Sequence, residues 1–401
     1  MSIQCPILQR FISDFNNHIV NLAVFGLLFS ISLFFEGIII PFFPATVALV
    51  KSHSELFRVR FYALYFSSIV ALVFSTVFYF DSIFNLVFID ALNLDPLAIS
   101  IIKKCGIIFI SPLLVGYRRF YQGLLVIQDK NSYITFGTIF RIIAMVFTFI
   151  TLNQYVVAPS AVLAITALIS GYAAEALFIR IGYAFNKIKF QSTAEESSSL
   201  SYKDIFKFHY PLALNTAVSI SSQPLILFLL SKGENALVSL ALYPVLANFV
   251  FLCGCPVKAM LELIINIARK TCGKLQEVKK FHTGIAIVIL AFMFFTPCKF
   301  IFDNFYGLDE NSINTVSIAY YLLPFLPALE AILVWRKACF MTEKRTLIIT
   351  VASYLELGLT LLILSFLVFM MQPLMAAFIS RIVARACAVA YLLMTKRTCK
   401  D

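Results

Sequence analysis

Eleven apolar runs, each near or above twenty residues, dominate this sequence and leave little chain for anything else. They lie at 19–50, 59–80, 97–117, 132–153, 158–184, 205–230, 237–268, 281–300, 312–335, 346–370 and 372–394. A helix needs about 20 apolar residues to cross roughly 30 Å of hydrocarbon, and within that layer its backbone must be hydrogen-bonded internally. With 61% hydrophobic and 13% charged residues, the chain cannot bury its apolar surface in a water-facing globule. The pattern predicts an all-α polytopic membrane protein.

The net charge of +11 invites a nucleic-acid partner, but the distribution of the basic residues argues against one. Alternate loops hold them: Lys51, Arg58 and Arg60, then Arg118, Arg119 and Lys130, then Arg180, Lys187, Lys189, Lys203 and Lys207. The series continues through Arg269, Lys270, Lys274, Lys279 and Lys280, through Arg336, Lys337, Lys344 and Arg345, to Lys396, Arg397 and Lys400. Cytoplasmic loops are the basic ones, so the expected C-terminus is cytoplasmic and the visible N-terminus outside, in a plasma (inner) membrane. Anionic lipid headgroups are the natural neighbours of this charge. Nine cysteines and four histidines show no metal spacing, and no metal site is expected. No phosphate-cradling glycine loop is present, with Gly116 and Gly123 isolated; nothing supports an enzyme, a cofactor or energy from bound ATP. A secondary mechanism fits better, with an ion gradient (H+ or Na+) or a substrate gradient as the driving force.

Long-range self-similarity organises the chain. The spans beginning at 19 and 237 stand 218 residues apart, as do Tyr117-Arg118-Arg119 and Trp335-Arg336-Lys337. Later spans keep an offset of 214. Three parts follow: a bundle at 1–186 with five spans, a cytoplasmic linker at 187–204 that includes the Ser-rich QSTAEESSSLS, and a bundle at 205–396 with six spans. The odd count predicts either a chain that starts earlier or a Met1 lying in the tail of a lost first helix, with residues 5–12 as that tail.

Ionisable groups inside spans cost roughly 2.5 to 3.5 kcal/mol each, so they normally face a wet cavity or a partner. Arg141 lies nine residues past the start of its span at 132, about 14 Å deep. Glu356 is similarly deep, Glu175 is midway through 158–184, and Arg381 and Arg385 share a helical face. For Arg141, Arg381 and Arg385 an ion pair with Glu175 or Glu356 competes with a place on a substrate pathway. For Arg118, Arg119, Arg336 and Lys337, anchoring at the membrane interface beside Tyr117 and Trp335 competes with the same pathway. Lys258 and Glu262 are one turn apart and either pair with each other or serve the pathway. Glu36 has no neutralising neighbour on its own helix, which favours a cavity or ion-coupling role. Gly37, Pro41 and Pro44 in one long span, and Gly254 and Pro256 in its counterpart, are expected helix interruptions of the kind that flank binding sites.

The runs NLAVFGLLFSISLFFEGIII (21–40), GYRRFYQGLLV (116–126, carrying Arg118, Arg119 and Gln122) and FGTIFRII (136–143) resemble the progressive ankylosis type of transporter. That type belongs to the multidrug, oligosaccharidyl-lipid and polysaccharide flippase (MOP) superfamily, whose members include MATE transporters. The resemblance covers mainly the first half. It implies two six-helix bundles related by a pseudo-two-fold axis, enclosing a cavity that opens to alternate sides, and a chain that lacks the first helix. It also implies export of small anions such as pyrophosphate, citrate or nucleotides, or of a lipid-linked substrate. Two other readings stand beside it: an ion-coupled exporter of cationic or lipophilic compounds using Glu36 and Glu175, and a truncated, non-transporting membrane protein.

Overall fold

In the computed structural model the described residues are 3–186, 200–270, 275–343 and 345–395; for Glu262, Asn266, Ala268, Arg269, Lys270 and Thr346 only the backbone is described. The fold is all-helical, with no strand among the described residues. In chain order the α-helices are α1 (Gln4–Ser13), α2 (His18–Ile39), α3 (Phe42–Leu49), α4 (His53–Tyr79), α5 (Asp81–Phe84), α6 (Pro96–Lys104), α7 (Ser111–Ile127), α8 (Asn131–Tyr155) and α9 (Ser160–Phe185). There follow α10 (Tyr202–Leu230), α11 (Ala236–Lys270), α12 (Leu275–Phe295), α13 (Cys298–Asn304), α14 (Glu310–Tyr320), α15 (Phe325–Thr342), α16 (Thr346–Leu367) and α17 (Pro373–Met394). Among the described residues nine helical segments are long and apolar enough to cross a membrane, and eleven if two bent pairs each count as one span. The pairs are α6 with the stretch from Gly106 to the end of α7, bent by 49°, and α14 with α15, bent by 46°. These agree with the eleven apolar runs, though the third and ninth extend further than hydropathy alone indicated, to Ile127 and Thr342.

Local chemistry sets the helix ends. Ser52 caps α4: its hydroxyl accepts the Glu55 amide at 3.3 Å, and the Glu55 carboxylate reaches back to the Lys51 amide at 2.8 Å. Prolines open α6 and α17, where a missing amide proton costs nothing. Pro41 separates α2 from α3, as the sequence led one to expect. Gly37, Gly254 and Pro256 behave otherwise, because α2 runs through the first and α11 through the other two without a break. Each in-helix proline forfeits one hydrogen bond, so Pro244 and Pro256 leave the Leu240 and Leu252 carbonyls without their helical donors, and the remaining bonds hold this 35-residue helix together. α1 spans ten residues, about 15 Å, too short to cross the bilayer.

By their contacts, the described residues of Leu27–Pro224 form one compact unit, and those of Ser2–Gly26 with Leu225–Asp401 form a second. In the first, α9 is the inner helix, with 61% of its most apolar stretch buried against 22% for its neighbour α8. Glycines bring its helices together. A Cβ on Gly116 of α7 would lie 1.9 Å from the Ser67 hydroxyl of α4, and one on Gly123 would lie 2.7 Å from Thr46 of α3. The isolated glycines of the sequence are therefore close-packing sites. On α9, Gly171 faces Arg141 of α8, and Gly182 faces the Tyr133 ring.

In the second unit α11 is the inner helix, packed by α1, α12, α14, α15 and α17. Val257, Met260 and Ile264 of α11 meet Val278 of α12 and Ala331, Val334 and Ala338 of α15. A second cluster joins Leu333 and Phe340 to Ala352 of α16 and Ala388, Val389 and Leu392 of α17. Gly307 has φ +61°, and the Arg10 guanidinium occupies the place where a side chain would stand. Large apolar side chains such as Leu72, Phe147, Phe295 and Phe366 lie exposed along the helices, which is the surface a bilayer requires.

Candidate functional site

Each unit holds an ionic cluster among its described residues, buried in the first and partly buried in the second. In the first, Glu175 on α9 is 1% exposed and serves as a shared acceptor. Arg118 of α7 donates to its Oε2, Gln122 of α7 donates to Oε1 at 3.2 Å, and Arg141 of α8 stands 3.2 Å from Oε2. The Gln122 carbonyl accepts from Arg119 at 3.3 Å, so this one amide links a second guanidinium to the carboxylate. Tyr172, three residues before Glu175, turns its ring towards Arg118 and Arg141, 5.5 and 6.0 Å from its centroid. Gly171 makes this geometry possible: a Cβ there would lie 3.1 Å from the Arg141 carbonyl oxygen and 3.2 Å from its Cγ.

Glu36 on α2 is 4% exposed and accepts from Ser32 Oγ at 2.8 Å. Ser32 and Ser111 of α7 lie 2.7 Å apart, so with the Ser32 proton given to Glu36, Ser111 donates to Ser32. Gly37, beside it, lets α2 approach Ala217 and Ile220 of α10.

The second unit reverses the polarity. Arg385 on α17 donates from Nε to Glu356 of α16 at 2.7 Å, and its Nη1 lies 2.8 Å from Glu330 of α15. Arg381, one turn earlier, donates to the Tyr243 hydroxyl of α11 at 3.1 Å. The Lys258 ammonium sits 4.3 Å from the centroid of the Phe251 ring. Lys258, Arg381, Arg385 and Glu330 line a cavity of about 40 Å3 together with Phe251 and Gly254. Gly254 has nothing within 4 Å of where its Cβ would be, in keeping with its place on that wall.

Measured against the sequence, the structure gathers Arg118, Arg119, Gln122, Arg141 and Glu175 into one cluster and Lys258, Glu356, Arg381 and Arg385 into the other. Arg118 departs from interfacial anchoring: at 2% exposed it lies inside α7, because that helix extends to Ile127 and Arg118 falls mid-helix. The Glu262 side chain lies outside the described residues, so its pairing with Lys258 does too. Sequence reasoning missed Glu330, which lies five residues inside the end of the 312–335 run and falls well within the span only because α15 continues to Thr342. It also missed Tyr172, Tyr243, Ser32 and Ser111, neutral residues that carry no intramembrane charge signal.

The chain resembles solved membrane transporters along nearly its whole length. An inward-facing multidrug resistance MATE family transporter of the MOP superfamily shares 14% identity, over 97% of this chain and 93% of that one, with a TM-score of 0.79. The lipid II flippase MurJ in an inward closed conformation shares 15% identity over 97% and 84%, with a TM-score of 0.71. An outward-facing MATE family transporter shares 13% over 97% and 84%, at 0.61. The fold is that of the MATE and MurJ transporters. No protein-family model matches the chain, and no curated relative does.

Proposed function

We propose that the chain is a secondary membrane transporter that exports a small anionic or lipid-linked substrate by alternating access. The observation that carries this reading is the cavity wall with Lys258, Arg381 and Arg385 against Glu330, the one acid among the described residues that line it, which Arg385 already engages. A cavity in which cations outnumber acids, lined by apolar Leu326 and Pro327, recognises negative charge. The MATE and MurJ likenesses support a membrane transporter, and MurJ in particular a lipid-linked substrate. The narrower assignment to the progressive ankylosis type rests on the 21–40, 116–126 and 136–143 motifs, whose Arg118, Arg119, Gln122 and Arg141 all belong to the Glu175 cluster. Efflux of labelled citrate and pyrophosphate from proteoliposomes is the test. Arg381→Gln is expected to lower it roughly ten-fold, the loss of one charged hydrogen bond. Unchanged efflux at normal protein level would refute the anion reading.

Glu36 favours a second reading, an exporter of cationic or lipophilic compounds coupled to H+ or Na+. It is a buried carboxylate held by a Ser111–Ser32 hydroxyl chain, and two of the similar structures are multidrug transporters. This reading predicts drug resistance on expression and its loss in Glu36→Gln.

A further inference from the structure

The second unit carries a larger concavity, about 480 Å3, on the faces of α12, α15 and α17 that the proposed transport cavity leaves unused. Its two ends differ in chemistry. Lys279 and Arg336 stand at the end flanked by the basic loops, with Trp335 between their two helices, while Ile287 and Leu290 form the wall further along α12. Lys279 lies with its ammonium 5.9 Å from the Trp335 ring centroid, an arrangement suited to the headgroup level of a bilayer. From Lys279 to Leu290 is eleven residues of helix, about 16 Å, the depth of one leaflet of a hydrocarbon layer of roughly 30 Å.

A second observation points to a ligand. His282, 3% exposed, lines the same concavity just below Lys279; its Nε2 bonds the Ala331 carbonyl at 2.9 Å, while its Nδ1 is buried with no partner among the described residues. With Nε2–H donating to that carbonyl, the neutral ring offers Nδ1 as an acceptor. Two cations and that imidazole nitrogen at one end, with a hydrocarbon wall one leaflet deep at the other, match a molecule built the same way. We infer that this groove binds an anionic glycerophospholipid, with its phosphate between Lys279 and Arg336, a headgroup or glycerol hydroxyl on His282, and an acyl chain along Ile287 and Leu290. The site is separate from the Lys258 cavity, and does not depend on transport.

The purified full-length chain in nanodiscs containing phosphatidylcholine and phosphatidylglycerol, read by native mass spectrometry of retained lipid, tests this. Wild-type protein is expected to retain phosphatidylglycerol selectively. Lys279→Gln with Arg336→Gln should weaken that retention roughly 30-fold, as two basic residues near the surface supply its attraction. Ile287→Trp, which fills the apolar end and leaves the charges in place, should also release the lipid. Free glycerol phosphate should not displace it, since the acyl chain is half of the contact. Equal retention of both lipids, wild-type retention by the double variant, or displacement by glycerol phosphate would each overturn the proposal.

Discussion

Neutralising Glu175 should unfold the first unit more readily than any other single isosteric change in an ionic cluster. Glu175→Gln leaves Arg118 and Arg141, at 2% and 1% exposure, facing an amide instead of a carboxylate. At 3.2 Å and an effective dielectric constant near 20, the Arg141 pair alone amounts to about 5 kcal/mol of attraction, and the Arg118 pair adds a comparable amount. After relaxation, stripping one partner from a buried ion pair costs roughly 3–5 kcal/mol. The corresponding change in the second unit, Glu356→Gln, removes an acceptor at 2.7 Å but leaves Arg385 its Glu330 contact at 2.8 Å. Its cost is that of a charged hydrogen bond, roughly 1.5–3 kcal/mol. Heating purified protein that keeps either Cys105 or Cys298 as its one cysteine with a thiol-reactive fluorophore reads the difference, because Cys105 is buried in the first unit and Cys298 in the second, and each labels when its own unit opens. Glu175→Gln should lower the opening temperature further than Glu356→Gln, and Arg118→Gln/Arg141→Gln/Glu175→Gln, which removes all three charges, should regain most of the loss. A Glu175→Gln effect no larger than that of Glu356→Gln, or a triple variant as unstable as the single one, would refute the reasoning.

Three further outcomes follow from close contacts and one loop charge. Gly116→Ala should impair folding, because its Cβ would meet Ser67 Oγ at 1.9 Å, and Ser67→Gly should partly rescue it, whereas Gly254→Ala, with open space, should leave expression and melting unchanged. Gly171→Ala should destabilise mildly and weaken the Arg141 contact to Glu175, seen as a smaller coupling energy in a double-mutant cycle of those two residues. Outside the membrane, burial pushes the Asp309 carboxyl up, but hydrogen bonds from Ser312 and His18 and the nearby His18 ring outweigh it and hold it below its ordinary value of 3.8. A depressed folded value stabilises above the unfolded pKa, and that contribution disappears as pH falls below 3.8 through the folded value; Asp309→Asn should therefore lower melting modestly at neutral pH and abolish this acid limb of the pH–melting profile, so that the two proteins converge at low pH.

Hydropathy made the fold legible because lipid imposes one requirement on every span: enough apolar residues in a row to cross. It also located Arg141, Glu175, Glu356, Arg381 and Arg385, since each charge interrupts an apolar run. Partnership was harder to read. Glu175 lies 57 positions from Arg118 and Arg385 lies 55 from Glu330, distances bridged only by helix packing. Arg118 was ambiguous because it follows an apolar run at a place where either a loop or a continuing helix fits, and only the contacts of Gly116 and Gly123 with α4 and α3 settle that α7 continues. Pro256 shows the opposite limit, a residue whose type suggests a break that a long, well-packed helix absorbs.

The two clusters also explain how one repeated topology produces two different sites. The first places arginines on α7 and α8 against a glutamate on α9, and the second places glutamates on α15 and α16 against an arginine on α17. Helices that correspond in the repeat therefore carry opposite charge. In the second unit Arg385 engages Glu330 and Glu356, so among the described residues Arg381 and Lys258 have no carboxylate contact, and theirs are the charges the proposed anion would meet. Arg381→Gln and Arg385→Gln change the formal charge of the cavity equally, yet their consequences should diverge. Arg381→Gln leaves the Glu330–Arg385–Glu356 contacts standing, and should reduce anion transport with little change in melting. Arg385→Gln strands two partly buried carboxylates, and should lower both transport and stability, the latter by roughly 3–5 kcal/mol. Variants that lose stability equally would show that Arg381 belongs to the same structural pairing and contributes no separate charge to the cavity.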